Sequence, residues 1–250
     1  MTVLIVSDIH GNWPALQAVL AAQPDVDRIL CLGDLVNYGP QPAECVGWAM
    51  SLGGNSRVVQ GNHDRAFGCD EDPHCSPAYQ VLAEAVQAAT NHLLTAEMKR
   101  FLAALEPLQR FRWAGASCVA CHATPADPLY RYLGDESAMN LWESELVRAG
   151  HPDFLFLGHT HQPMETQFQR TLVVNPGSVG QPKHGGPQAA YALWENGSVT
   201  LHRTHYDVEK TNRALGGLAL DPKVLHSLRQ LLLTGGDAPT LSDHRRPDRG

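Results

Sequence analysis

Five short segments concentrate histidine, aspartate and asparagine: Asp8-Ile9-His10, Gly33-Asp34, Gly61-Asn62-His63-Asp64, Cys121-His122 and Gly158-His159-Thr160-His161. Asp8 and His10 stand two residues apart, as do His159 and His161. In extended backbone that spacing turns both side chains of a pair to one side, so each pair reads as a pincer. The imidazoles of His10, His122, His159 and His161, the carboxylates of Asp8 and Asp34 and the amide oxygen of Asn62 are enough ligands for two divalent cations. Asp34 is the natural bridge, because a carboxylate has two oxygens and paired metals lie about 3.5–4 Å apart. This mixed nitrogen and oxygen shell suits Mn²⁺, Fe, Ni, Co or Zn, with Mn²⁺ favoured. Ca²⁺ and Mg²⁺ prefer oxygen alone. Two divalent cations against two carboxylates leave a cationic centre, which lowers the pKa of a bridging water and holds an anionic phosphate.

Each segment follows a run that reads as a strand, and open α/β sheets place ligands at the carboxyl ends of their strands. Strands are expected at Val3–Ser7, Arg28–Leu32 and Arg57–Gln60, with helices at Pro14–Ala22 and Pro42–Leu52 between them. That β-α-β-α-β order argues for a mostly parallel sheet covered by helices. Residues 76–105 read as two helices broken near Thr95. Seven strands then follow, at Arg110–Trp113, Ser117–His122, Phe154–Gly158, Met164–Gln169, Thr171–Asn175, Ala189–Glu195 and Ser198–Thr204. One helix, Glu136–Ala149, interrupts them. Asn196-Gly197 is a two-residue hairpin signal. Weak helices are expected at Asp207–Gly216 and Pro222–Thr234, giving one domain over 1–234 with its core at 3–206. The polar stretch 235–250 reads as a disordered tail.

Composition narrows the classes. With 250 residues, 43% hydrophobic and 18% charged, the chain is long and apolar enough for a substantial core. A net charge of −7 offers no global attraction to a nucleic-acid duplex or an anionic membrane. No basic n-region precedes the short apolar run Val3–Val6, and six cysteines show no small-secreted-domain spacing, so a cytoplasmic, reduced setting is expected. Cys118 and Cys121 fall on opposite faces of one strand, which favours packing over zinc binding. Ser178 in Asn-Pro-Gly-Ser-Val-Gly lacks the first glycine of a nucleophile elbow and reads as a turn residue. Among the histidines outside the five segments, His184 is the one expected nearest the cleft.

Taken in order, the five segments resemble the calcineurin-like metallophosphoesterase superfamily, which reads D-x-H, G-D, G-N-H-[DE], H and G-H-x-H. The stretches SDIHGNWPALQAVL, GDLVNYGPQP, FLGHTHQPM and NPGSVGQP are similar to its small prokaryotic phosphodiesterase branch. The resemblance implies a four-layer α/β/β/α sandwich of two mixed sheets with a dimetal site at the strand ends. It implies one metal on Asp8, His10, Asp34 and His161, and another on Asp34, Asn62, His122 and His159. It further implies hydrolysis of a small phosphoester, a diester above all, by a metal-bridging hydroxide, with His63 assisting the leaving group and Asp64 orienting the His63 ring. Dinucleoside polyphosphate or phosphomonoester hydrolysis is the alternative, and a non-catalytic scaffold is the competing class. A homo-oligomer stays open. Three positions depart from the pattern. His122 is followed by Ala123 where glycine is usual. Lys183 stands where many relatives carry arginine, as a point charge and not a fork. Tyr38 replaces the arginine of the monoesterase branches. Asn62, Tyr38 and Lys183 are the expected substrate contacts.

Overall fold

The computed structural model describes residues 1–236. Ten strands and eight α-helices run in the order β1 (Thr2–Val6), α1 (Trp13–Ala22), β2 (Arg28–Cys31), α2 (Pro42–Ser51), β3 (Arg57–Val58), α3 (Asn62–Cys69), α4 (Pro77–Thr90), α5 (Ala96–Ala104), β4 (Leu108–Trp113), β5 (Ala116–Cys121), α6 (Met139–Ala149), β6 (Phe154–Phe156), β7 (Met164–Phe168), β8 (Thr171–Asn175), β9 (Gln188–Glu195), β10 (Ser198–His205), α7 (Val208–Leu215) and α8 (Pro222–Thr234). Two five-stranded sheets result, ordered β10-β9-β1-β2-β3 and β4-β5-β6-β8-β7. In the first, β1, β2 and β3 run parallel and β9 and β10 add antiparallel pairs on one side; in the second, parallel β5, β6 and β8 are flanked by antiparallel β4 and β7. Both sheets are therefore mixed.

Alternation along the strands builds the layers. Val3 and Ile5 of β1 point into the space between the sheets, where they meet Trp113, Phe156 and Trp194. Leu4 and Val6 point outward to Leu16, Val19 and Val46 of α1 and α2. A strand covered on both faces has to be apolar at successive positions. On the far side, α6 lays Trp142 and Leu146 on Val119, Leu155 and Val173. Cys118 belongs to the inter-sheet core and Cys121 to the outer one, and both are free thiols. A fourth apolar cluster joins α4, α7 and α8 beside the strand ends, and it includes Tyr38.

One expectation needs correction, and one element was not expected. The Gly-Asn-His-Asp segment, placed by the sequence only as following a strand, opens helix α3. Its start signal is the side chain of Asp64, which accepts the Gly61 N–H at 3.0 Å, half of a capping box. The tail does not begin at Gly235. That residue ends α8 in the left-handed conformation, donates to the Leu231 carbonyl and accepts from Gly185 N–H at 2.9 Å. The rest of the expected tail, 237–250, lies outside the described residues. No helix among the described residues is long and apolar enough to cross a membrane.

Candidate metal centre and substrate cleft

Each candidate ligand sits just past a strand end. Asp8 and His10 follow β1, Asp34 follows β2, Asn62 follows β3, His122 follows β5, and His159 and His161 follow β6. The pairs are not held by strand alternation, contrary to the sequence reading. Asp8, His10, Asp34, His159 and His161 all have left-handed backbones, with φ of +53°, +49°, +57°, +65° and +61°. That conformation costs a side-chain-bearing residue about 1–2 kcal/mol and survives only where its surroundings impose it. Here backbone hydrogen bonds impose it: Asp8 N–H donates to Gly33 O at 3.0 Å, and His10 N–H to Asp34 O at 2.9 Å. Ser178, buried, adds a hydroxyl bond to Asp8 O at 2.8 Å. Gly61 is glycine because a Cβ there would collide with the Asp34 carboxylate.

The ligand atoms converge. Nε2 of His10 and Nε2 of His161 lie 3.1 Å apart, and the latter is 3.3 Å from Asp8 Oδ1. Nε2 of His122 lies 3.2 Å from Asp34 Oδ2, 3.1 Å from Asn62 Oδ1 and 3.2 Å from His159 Nδ1. Two sets, Asp8/His10/His161 and Asp8/Asp34/His122, hold all their ligand atoms within 4.8 Å of one another. Asp8 thus faces both sets, and His10 Nε2 reaches Asp34 Oδ2 at 3.7 Å.

Backbone carbonyls fix the direction of every ring. Nδ1 of His10 meets Val36 O at 3.1 Å, Nδ1 of His122 meets Leu32 O at 2.7 Å, and Nδ1 of His161 meets Gln181 O at 2.7 Å. His159 is turned the other way, with Nε2 on Tyr130 O at 3.2 Å. A carbonyl only accepts, so each outer nitrogen carries a proton, and the inner nitrogens of His10, His159 and His161 offer lone pairs. Two lone pairs 3.1 Å apart repel unless a positive charge lies between them. Asp8 Oδ1 is buried without a hydrogen-bond partner, which is costly for a carboxylate. Burial lowers His10 to about 3 and holds His159 and His161 well below the usual histidine range. Burial also pushes Asp8 up to about 7. Burial opposes charge on His122 as well, yet the Asp34 carboxylate beside it wins and raises it to about 9. His122 is thus the cationic member of the metal-free centre, and the donor set as a whole fits divalent cations.

Around this centre the structure distributes the other expected residues. Nδ1 of His63 meets the Asn37 amide nitrogen at 2.9 Å. Among the described residues, no hydrogen bond joins Asp64 to the ring it was expected to orient. Its two oxygens accept the backbone N–H groups of Asp34, Leu35 and Gly61 at 2.8–3.0 Å. With three such donors on its buried carboxylate, Asp64 braces the Asp34 turn. Tyr38 is buried, edge-on to His10 and His63 with centroids 4.9 and 5.0 Å away. Lys183 lines the same cleft as Asp34, His63 and His161, and its Nζ sits 4.4 Å over the Tyr79 ring. His184 is not among the residues lining that cleft.

The sequence reading gave four neighbours no place at the cleft. Asn37 lies inside a segment that was noticed but given no task. Tyr79, Cys75 and Tyr132 also line the cleft. Tyr132 lies over His159 with centroids 3.9 Å apart. These three come from stretches with no spacing signal, and only folding brings them to the strand ends.

Fold and site together define a class: a two-sheet α/β protein with a metal-ready cluster of imidazoles and carboxylates at its strand ends. The calcineurin-like phosphoesterase superfamily domain matches residues 1–197, and the chain belongs to that superfamily. An uncharacterised protein of Methanocaldococcus jannaschii is 29% identical over 228 residues, covering 83% of this chain and 89% of that one. The phosphodiesterase YfcE of Escherichia coli K12 is 28% identical over 211 residues, covering 80% and 91%. The crystal structure of a metallophosphoesterase from Sphaerobacter thermophilus superimposes with a TM-score of 0.75 at 29% identity, covering 91% of this chain and 98% of that one.

Proposed function

We propose that the protein hydrolyses small phosphoesters, diesters in preference to monoesters, with two divalent cations in the strand-end cluster. The observation that carries this reading is the set of four imidazoles whose outer nitrogens are tied to carbonyls, with the inner nitrogens of His10, His122 and His161 within 3.9 Å of the Asp8 or Asp34 carboxylate. Asp8, His10, Asp34 and His161 would hold one cation, and Asp34, Asn62, His122 and His159 the other, Mn²⁺ being the favoured metal. Bound there, the cations supply positive charge for the phosphate oxygens and an acidified water.

The chain's own residues do the rest. Asn37 uses its oxygen to accept the Tyr38 backbone N–H at 2.8 Å, so its nitrogen faces His63. The His63 proton is therefore placed on Nε2. Burial keeps that ring's pKa below the usual range, so the neutral ring presents an N–H to a leaving oxygen in the cleft. Lys183 adds a cation on the rim. Tyr38 fills the place of a guanidinium with a ring, which offers one hydroxyl and no bidentate fork. A dianionic monoester loses more from that exchange than a monoanionic diester. The phosphodiesterase activity in YfcE's name agrees with this preference.

The test is a metal-by-substrate screen on protein stripped of metal. Turnover of bis(p-nitrophenyl) phosphate should return on adding Mn²⁺ and exceed that of p-nitrophenyl phosphate in kcat/KM. No turnover of either ester with any of the five metals would leave the scaffold reading in its place.

A further inference from the structure

The matched superfamily span ends at residue 197, before α7 and α8 begin. Those helices are nonetheless laced into the site. Thr211 of α7 donates to the Asn12 side chain at 2.8 Å, and Asn12 donates to Gly180 O at 3.0 Å. Leu228, Leu231 and Leu232 of α8 lie behind His10, Tyr38 and Gln181 and share one apolar cluster with Tyr38 and Tyr79. At the end of α8, the Gly235 carbonyl accepts the Gly185 N–H at 2.9 Å. Gly185 is two residues past Lys183, whose ammonium sits over Tyr79. The contacts close a ring: α8 to Tyr79, Tyr79 to Lys183, Lys183 through its loop to Gly235, and back to α8.

We infer that the end of α8 is a positioning element for substrate, which docks the Lys183 loop and so holds a cation over the cleft for the anionic phosphoester. Lys183 alone would not stay there, because a lysine has a flexible four-carbon stem and about 2 kcal/mol of rotamer entropy to lose. Its loop contains Gly185 and Gly186, which carry no side chain to pin it. The Tyr79 ring and the Gly235 carbonyl each supply an anchor. Gly235 suits this contact for two reasons. Its φ is +58°, and a Cβ on it would collide with the Gly186 backbone. The helix end and the loop therefore touch backbone to backbone.

This inference rests on the phosphoesterase reading, and the experiment separates the two. Full-length Mn²⁺-loaded protein is assayed with bis(p-nitrophenyl) phosphate as wild type, Lys183→Met, Gly235→Ala and the double variant. Lys183→Met should raise KM roughly tenfold, the order of one charge-assisted hydrogen bond, with kcat within about twofold. Gly235→Ala should raise KM in the same way and leave bound manganese unchanged. The double variant should be no worse than Lys183→Met, because the two changes remove one interaction. Hydrogen exchange on the wild type gives a readout independent of any folding defect: inorganic phosphate should slow exchange at Gly185 and Gly235 together, and should not do so in Lys183→Met. Multiplying KM effects, or phosphate binding that leaves both amides unchanged, would overturn the inference. A wild type inactive on every ester would instead overturn the reading beneath it.

Discussion

The amide nitrogen of Asn37 lies 2.9 Å from Nδ1 of His63, and the amide oxygen is committed to the Tyr38 backbone N–H. That commitment decides which end of the amide faces the ring, and so which ring nitrogen keeps its proton. Asn37 therefore governs His63, the task assigned from the sequence to Asp64.

Exchanging Asn37 for aspartate tests this. A carboxylate accepts where the amide donated, and it favours the charged imidazolium. In Asn37→Asp the His63 titration should move upward from its depressed position. Turnover should fall at pH 7–8, where the neutral ring with a proton on Nε2 is the wild-type form. NMR of the labelled imidazoles with pH profiles of kcat would show it. An unmoved titration would mean that Asn37 does not set the state of the ring.

His161 and His63 should fail differently. His161→Ala removes a donor whose Nε2 faces both Asp8 and His10, so bound metal and turnover should both collapse. His63→Ala should keep its metal and slow the chemical step on the order of 10²–10⁴-fold, the range for loss of a positioned proton donor. Elemental analysis beside single-turnover rates separates the two. Equal loss of metal in both variants would make His63 a ligand.

Metal and proton compete for His122. Its folded pKa is raised to about 9 from 6.5, so in the metal-free chain this group's stabilisation is complete below about pH 6.5 and lost as pH rises through 9. The thermal midpoint of stripped protein should fall between pH 7 and 9. Manganese takes the place of the proton at Nε2, so apparent Mn²⁺ affinity should rise across the same window and the midpoint should flatten. Calorimetry in two buffers would count the proton released. Uptake with no proton release at pH 7.5 would contradict this picture.

Tyr38 decides ester class in our reading. Tyr38→Arg should narrow the diester-to-monoester ratio of kcat/KM by improving monoester binding, since arginine can clamp two oxygens. The substitution is demanding, because Tyr38 is only 6% exposed and packs within the α4/α8 cluster. Tyr38→Phe is the companion, isolating the hydroxyl. An unchanged ratio in Tyr38→Arg, with metal retained, would remove Tyr38 from specificity.

The sequence by itself determined the layers and named the residues that gather at the strand ends. Apolar runs too short for helices fixed the strands, Asn196-Gly197 marked the hairpin of β9 and β10, and the order of the five motif segments named the superfamily. These features are local, so short-range pattern carries them. The helical nature of Asn62–Cys69 was hidden because its opening residues read as ligands, and its start signal is a side-chain bond to the backbone. What only the tertiary structure decided was orientation. Asp8 and His10 looked like a strand pair, yet they share a site through left-handed backbones imposed by bonds to the Gly33-Asp34 turn. Asp64 looked like the partner of the adjacent His63, yet three N–H donors on neighbouring backbone claimed it, and Asn37 took the ring. Tyr79 and Tyr132 reach the cleft from distant stretches of chain, and the end of α8 reaches the loop that carries Lys183. Which hydrogen-bond partner a buried polar group finds is settled by three-dimensional proximity, and no spacing along a chain encodes it.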